Sequence, residues 1–343
     1  MLSSGAPHFR LRSLALPVYL PTFLFAVGQG AVLPAIPLFA RELGGSVALA
    51  GIVVSLRGLG TMGFDVPAGV LVARLGEKWA MVAATLVLAV VALGAAQSPS
   101  VWALAALILL MGCAWAVWLL ARLSYVAEVA PTEFRGRALS LLGGTNRIGN
   151  FAGPFIGGFA SEAWGLPAAF YIQAILAGLA CAALFFLAGD EDHARSAHED
   201  NVYRRLGQIV RDNRSIFMTA GVATTSLGVL RSTRQAVIPL WGDHLGLNPA
   251  EIGVIFGISA AIDMTLFYPV GIVMDRWGRK WTGVPCLLIL AAGLMLVPAT
   301  SSLSALLAVG LLIGLGNGLG SGIVMTLGAD FSPPGGRGEF LGV

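Results

Sequence analysis

Pro269-Val-Gly-Ile-Val-Met-Asp-Arg-Trp-Gly-Arg-Lys280 repeats, 202 residues on, the earlier stretch Pro67-Ala-Gly-Val-Leu-Val-Ala-Arg-Leu-Gly-Glu-Lys78. The same offset aligns residues 36–79 with 238–281 without a gap, beyond what even so biased a composition gives by chance. It returns downstream, where Ala127-Glu128, Pro131, Arg135-Gly136 and Leu139 match Ala329-Asp330, Pro333, Arg337-Gly338 and Leu341. The chain is a tandem duplication.

Each copy is built for lipid. The sequence is 57% hydrophobic and 11% charged, against about 25% charged in soluble domains. A hydrocarbon core of about 30 Å takes roughly 20 apolar residues of helix per crossing. Ten stretches qualify, near 14–39, 47–72, 80–97, 101–125, 138–161, 165–188, 215–240, 250–274, 282–299 and 303–328. Several carry Pro or many Gly, which bundled membrane helices tolerate. The fold class expected is an all-α polytopic membrane protein: a six-helix bundle over 1–188, a charged linker over 189–214, and a second bundle over 215–343. By the offset, residue 188 maps to position 390, past Val343. Ten helices of an expected twelve are therefore present, the second bundle holding four.

Basic residues set the expected orientation. With the N-terminus inside, sixteen of them, from Arg10 and Arg12 through Arg74 and Lys78 to Arg337, fall on one side and only Arg41 on the other. That positive-inside bias predicts a cytoplasmic (inner) membrane protein with a cytoplasmic N-terminus. The net charge of +3 then reflects topology and not nucleic-acid binding. The linker holds more than a quarter of the charged residues and must lie in water. Cys113, Cys181 and Cys286 sit singly in separate spans, without a disulfide or redox pattern. The four histidines lie in loops without a metal-ligand set, so no metal is expected. No glycine-lysine phosphate loop and no intramembrane catalytic cluster is present, which argues against an enzyme.

Three motifs give a resemblance. Gly271-Ile-Val-Met-Asp275-Arg276-Trp-Gly278-Arg279-Lys280 resembles the loop signature between the second and third helices of a bundle in the major facilitator superfamily. In the first copy Gly69, Arg74, Gly76 and Lys78 keep the pattern, but Ala73 replaces the acid and Glu77 a basic residue. The resemblance implies two six-helix bundles around a central cavity. It also implies gating loops that include Glu128, Arg135, Asp330 and Arg337, latched in the second half through Asp275 and its basic neighbours. Asp65-Val-Pro67-Ala-Gly69 resembles the lead-in of many exporters in the family. In the fifth span, Gly149-Asn-Phe-Ala-Gly153-Pro154-Phe-Ile-Gly157-Gly158 resembles the core of the family's antiporter motif. Gly149, Gly153 and Gly157 at i, i+4 and i+8 form a stripe for close helix approach, and Pro154 favours a bend. The Arg expected early in the fourth span is missing, with Arg122 near its cytoplasmic end instead.

Polar side chains inside spans are the candidate substrate and proton pathway, because each charge costs about 2.5–3.5 kcal/mol at mid-membrane on insertion scales. They are Gln29, Arg57, Asp65, Asn146, Arg147, Asn150, Arg231, Arg234 and Asp263. Arg57 and Asp65, eight apart on one face, read equally as a structural pair. Asp65 and Asp263 are the carboxylates deep enough to carry protons. Two transport readings follow. One is a proton-coupled exporter of small amphipathic molecules. The other is a symporter or uniporter of an anionic metabolite held by Arg147, Arg231 and Arg234. Either is expected to act as a monomer in the bilayer by alternating access, with a proton gradient as energy source and no bound cofactor.

Overall fold

The computed structural model describes residues 14–189, 211 and 214–331. The basic N-terminus, almost all of the charged linker and Arg337 lie outside the described residues.

The first span opens in a π turn at Ala15–Tyr19 and continues as α1, Leu20–Val32. A turn at Leu33-Pro34 separates it from α2, Ala35–Glu42. Prolines 34 and 37 withhold backbone donors, so one continuous ladder cannot form. Then come α3 (Val47–Leu75), α4 (Glu77–Ala96), α5 (Val101–Val129), α6 (Thr132–Trp164) and α7 (Pro167–Leu187). The second half supplies α8 (Val222–His244), α9 (Pro249–Trp277), α10 (Lys280–Leu296), α11 (Leu303–Leu319) and α12 (Ile323–Phe331).

The duplication reappears in three dimensions. Both bounds of α3 and α9, and the first residues of α5 and α11, differ by the offset of 202 read from the sequence. Gly76 ends α3 at φ 79° and Gly278 ends α9 at φ 91°, while Gly44 and Gly246 turn the chain ahead of them at 84° and 75°. These are left-handed conformations that a β-carbon penalises. Ser46 caps α3, and Asn248 with Glu251 forms a full capping box on α9. The two copies share punctuation more than side chains.

Two hydrophobic cores form. One gathers Phe25, Met81, Leu88, Trp118 and Phe170 of the first half; the other gathers Ile252, Ile255, Leu290, Leu306 and Ile313 of the second. Trp102, Trp164, Phe186 and Met295 stay exposed on the outside, as side chains facing lipid tails do. Among the described residues, seven helical segments are long and apolar enough to span a membrane by composition. Helices α6 and α8 are not among them, because they carry the polar side chains of the centre; α11 is short.

The tenth span departs from expectation. A continuous helix over 303–328 is expected, but it breaks between α11 and α12 at Gly320–Gly322, where Gly322 takes φ 78°. Glycines occupy every second position from 314 to 322. Each weakens a helix by about 1 kcal/mol relative to Ala, so the ladder gives way there.

Candidate functional site

The two halves meet chiefly along α6 and α9, which run antiparallel. At the end away from the basic loops their backbones touch. A β-carbon at Gly158 would lie 3.0 Å from the Gly253 Cα and 2.8 Å from the Pro249 carbonyl oxygen, while one at Gly253 would strike the Pro154 carbonyl. The other face of α6 is equally close to α1. A β-carbon at Gly149, Gly153 or Gly157 would run into Ala26, Val27 or Ala31, and Gly30 lies against Gly153 and Pro154. The glycine stripe thus seats α6 on α1 within its own bundle, while Pro154 and Gly158 seat it on α9 of the other. Toward the basic loops the fit is lost: a side chain added at Gly143, Gly144 or Gly271 would meet nothing within 4 Å. The interface is shut at the far end and splayed at the basic-loop end.

Between the two zones stands an ion pair across the bundles. Arg147 Nη1 of α6 lies 3.2 Å from Asp263 Oδ2 of α9, both side chains 21% exposed. The same nitrogen reaches the Asp263 carbonyl at 3.5 Å, and the guanidinium rests over Phe267 at 4.4 Å from the ring centre. Ser321, in the break of the tenth span, donates to Asp263 Oδ1 at 3.0 Å. Arg231 of α8 uses the same break. Its Nε donates to Asn317 Oδ1 at 2.8 Å and its Nη2 to the Gly320 carbonyl at 3.2 Å. That carbonyl also accepts from the Ile323 N–H at 3.3 Å, so the arginine is its second donor. Arg234, one turn on, sits 5.8 Å from the Phe256 ring centre; its Nη1 is buried without a hydrogen-bond partner among the described residues. Arg231 and Arg234 both lie within electrostatic reach of Asp263.

The first bundle contributes a second polar cluster. Arg122, buried in α5, donates to Asn146 Oδ1 at 3.2 Å and lies over Trp118 at 5.8 Å. Phe25 stacks on Trp118 with ring centres 4.6 Å apart. Asn150, half-buried one turn further, has its backbone against Gly30. Gln29, Arg57 and Gln173 line a crevice with Met111, and the Gln173 Oε1 is buried without a partner among the described residues. Arg57 rests over Trp115 at 5.6 Å, while Asp65 is exposed on α3. The Arg57–Asp65 pairing weighed from the sequence is therefore not formed: sharing a helix face brings two residues into line, and here the aromatic face claims the guanidinium.

At the basic-loop end, Arg279 pairs with Asp330, Nε to Oδ2 at 2.7 Å and Nη2 to Oδ1 at 3.2 Å, and its Nη1 also donates to the Met274 carbonyl. The acid that holds an arginine of the second-half loop is thus Asp330 of α12; Asp275 and Arg276 are exposed, with no ion pair between them and their neighbours among the described residues. Lys78 and Lys280 lie over Trp79 and Trp281, Arg74 and Glu128 are engaged in polar or electrostatic contacts, and Arg135 is exposed at the start of α6. Gly69 approaches Leu120 of α5, and Gly271 faces open space.

Sequence reasoning passed over Gln173, Asn317 and Ser321. Each is a neutral polar residue in an apolar span, and for the last two the alternating glycines around them were the available signal.

Two pseudo-equivalent helical bundles, closed at one end and bridged midway by a charge pair, define a membrane carrier. The family model described as Major Facilitator Superfamily matches residues 18–343, and the chain belongs to that superfamily. It is 26% identical over 332 residues to the multidrug resistance protein MdtH of Klebsiella pneumoniae strain 342, an alignment covering 93% of this chain and 79% of that one. It is 29% identical over 169 residues to the multidrug resistance protein MdtG of Enterobacter lignolyticus, covering 48% and 40%. Among solved structures it resembles a peptide transporter POT in complex with sulfate, at a TM-score of 0.77 with 14% identity, covering 97% and 85%. The chain is a multi-pass membrane transporter and not an enzyme.

Proposed function

We propose that this transporter is a proton-coupled exporter of small amphipathic molecules, with Asp263 as the proton acceptor. The observation that carries the proposal is the Arg147–Asp263 pair, which joins the bundles between the shut end and the splayed end. Alternating access requires the bundles to rock about this point, so the pair is remade in each cycle. A proton on Asp263 cancels the charge that holds Arg147, and the Ser321 hydroxyl, which donates to Asp263 Oδ1, keeps the carboxyl oriented while Arg147 is free. Export is the direction suggested by the glycine-proline run of α6 and by the relatives named for multidrug resistance. In this reading the protein works as a monomer in the cytoplasmic membrane, N-terminus inside, on the proton gradient and without a bound cofactor.

A second reading, symport or uniport of an organic anion, draws on the balance of charge. Arg57, Arg122, Arg147, Arg231 and Arg234 lie in the spans against Asp65 and Asp263. Everted vesicles loaded with a pH-sensitive dye separate the two. Dissipation of the gradient by lipophilic cations, abolished in Asp263→Asn and retained in Asp65→Asn, supports the exporter. A response to organic anions alone supports the second reading. An Asp263→Asn protein that still couples cargo to protons at the wild-type rate would refute the role given to Asp263.

A further inference from the structure

The fourth span of each bundle is broken in the second copy only. In the first copy α5 runs unbroken from Val101 to Val129, with Trp118, Leu119 and Leu120 standing where Gly320, Ser321 and Gly322 make the break. The register of α11 on α9 shows what the break changes. Added β-carbons at Gly310, Gly314 and Gly318 would meet Ile255, Ser259 and Asp263, a constant difference of 55 in residue number. A continuous helix would bring Ser321 level with Leu266, about 4.5 Å along the axis past the acid. In the break the Ser321 hydroxyl instead donates to Asp263 Oδ1 at 3.0 Å.

Arg231 holds this shape. Its Nε donates to Asn317 Oδ1 on the last turn of α11 and its Nη2 to the Gly320 carbonyl, so one edge of the planar guanidinium spans the point where the helix stops. Glycine at 320 leaves room for it: a β-carbon there would lie 3.2 Å from Arg231 Nη2 and 2.5 Å from the Cys286 Sγ. Beyond the break, α12 presents Asp330 to Arg279 at the basic-loop end. The first copy lacks the acid and the clamp together, with Thr61, Gln29 and Trp115 opposite Asp263, Arg231 and Asn317.

We infer that Arg231 is a positioning residue of the proton site: clamped on Asn317 and Gly320, it keeps the span broken, aims Ser321 at Asp263 and fixes where α12 presents Asp330. The inference rests on Asp263 being the proton acceptor. Its consequence is a route from the acid to the basic-loop end. A change at Asp263 reaches the break through Ser321, and α12 moves with the break, taking its half of the Arg279–Asp330 pair along.

The charged and titratable groups around Asp263 are Arg147 of α6, Arg231 and Arg234 of α8, and the Cys286 thiol of α10. Replacing Arg231 would therefore remove a charge as well as a clamp, so the test uses its neutral partner. The full chain, reconstituted in lipid without cargo, is titrated by infrared difference spectroscopy. The signal is the carbonyl stretch of a protonated carboxyl that Asp263→Asn abolishes. Losing a hydrogen bond to a charged acceptor changes an equilibrium about tenfold or more, which is about one pH unit in the midpoint. Ser321→Ala should displace the midpoint by that amount. Asn317→Ala, which alters no charge, should displace it in the same direction, and the double variant should go no further than Ser321→Ala alone. An Asn317→Ala midpoint like that of the unaltered protein overturns the inference, as does full additivity. Hydrogen exchange on the same variant reads the other end: amides of α12 should exchange about tenfold faster. Unchanged exchange there overturns the link to α12. A band that survives Asp263→Asn would sink the proton-acceptor reading itself, whereas a band lost in Asp263→Asn but indifferent to Asn317→Ala sinks this inference alone.

Discussion

Replacing Gly253 by Ala tests whether the far-end contact is a closure element or a static seam. The added methyl would fall 3.0 Å from the Gly158 Cα and nearer still to the Pro154 carbonyl oxygen, both of them backbone atoms that cannot rotate away. Overpacking of this kind costs about 1–3 kcal/mol. The cost is borne only where α6 and α9 are in contact, so it vanishes once that end parts. The equilibrium between the end-closed and end-open states should therefore move about 5- to 150-fold toward open. Spin labels at Trp164 and Asp243, both exposed near the far end, report the separation directly in a background with the three native cysteines replaced. Gly253→Ala should add or enlarge a long-distance component in the pulsed dipolar distribution, and transport should slow because closure at that end becomes the difficult step. An unchanged distribution at an unchanged melting midpoint would remove the contact from the closure mechanism. A lowered midpoint without any new distance would make it part of the packing that holds the bundles together.

Two further outcomes follow from the same geometry. Gly153→Val, placed where α6 lies on α1 inside one bundle, should lower the thermal midpoint in detergent, costing about 1–3 kcal/mol, while leaving the spin-label distances unchanged; a distance change would mean that this seam also moves. Exchanging the charges in Arg279→Asp with Asp330→Arg should recover most of what either single change loses, with a coupling of about 1 kcal/mol or less because the pair is 33% and 44% exposed. Double-mutant cycles on stability and on transport check it, and coupling in transport alone would identify the pair as part of the gate.

The scaffold was legible because it repeats. Proline and glycine impose backbone geometry whatever surrounds them, so Pro67 and Pro269, Gly76 and Gly278, and Gly44 and Gly246 carry the duplication into matching helix bounds. The glycine stripe of α6 was equally plain, since small residues one turn apart leave room only for another backbone. What could not be read was pairing between residues distant in sequence. Arg57 and Asp65 share a face of α3, yet Arg57 turns to Trp115. Arg279 finds Asp330 across 51 residues, while Asp275, four residues from it, stays exposed. The break at Gly320–Gly322 was announced by its glycines, but its use as an acceptor for Arg231 depends on where α8 comes to lie.

The site occupies the positions where the two copies differ. Under the 202-residue offset Asp263 stands opposite Thr61, Arg231 opposite Gln29, Arg234 opposite Val32, and Arg57 opposite Ser259. Ser321 and Asn317 stand opposite Leu119 and Trp115. Two bundles alike in bounds and caps can rock about a common centre, because each presents the other with the same helix lengths and crossing points. A centre alike in chemistry would be of little use to them. Matched carboxylates would repel, matched arginines would stay unsatisfied, and no single cargo orientation would be favoured. By giving the acid to the second copy and Arg147 to the first, the chain makes their pairing a bond between bundles and not within one. The charge pair then reports on the relative position of the halves, which is the quantity that a coupled carrier has to control.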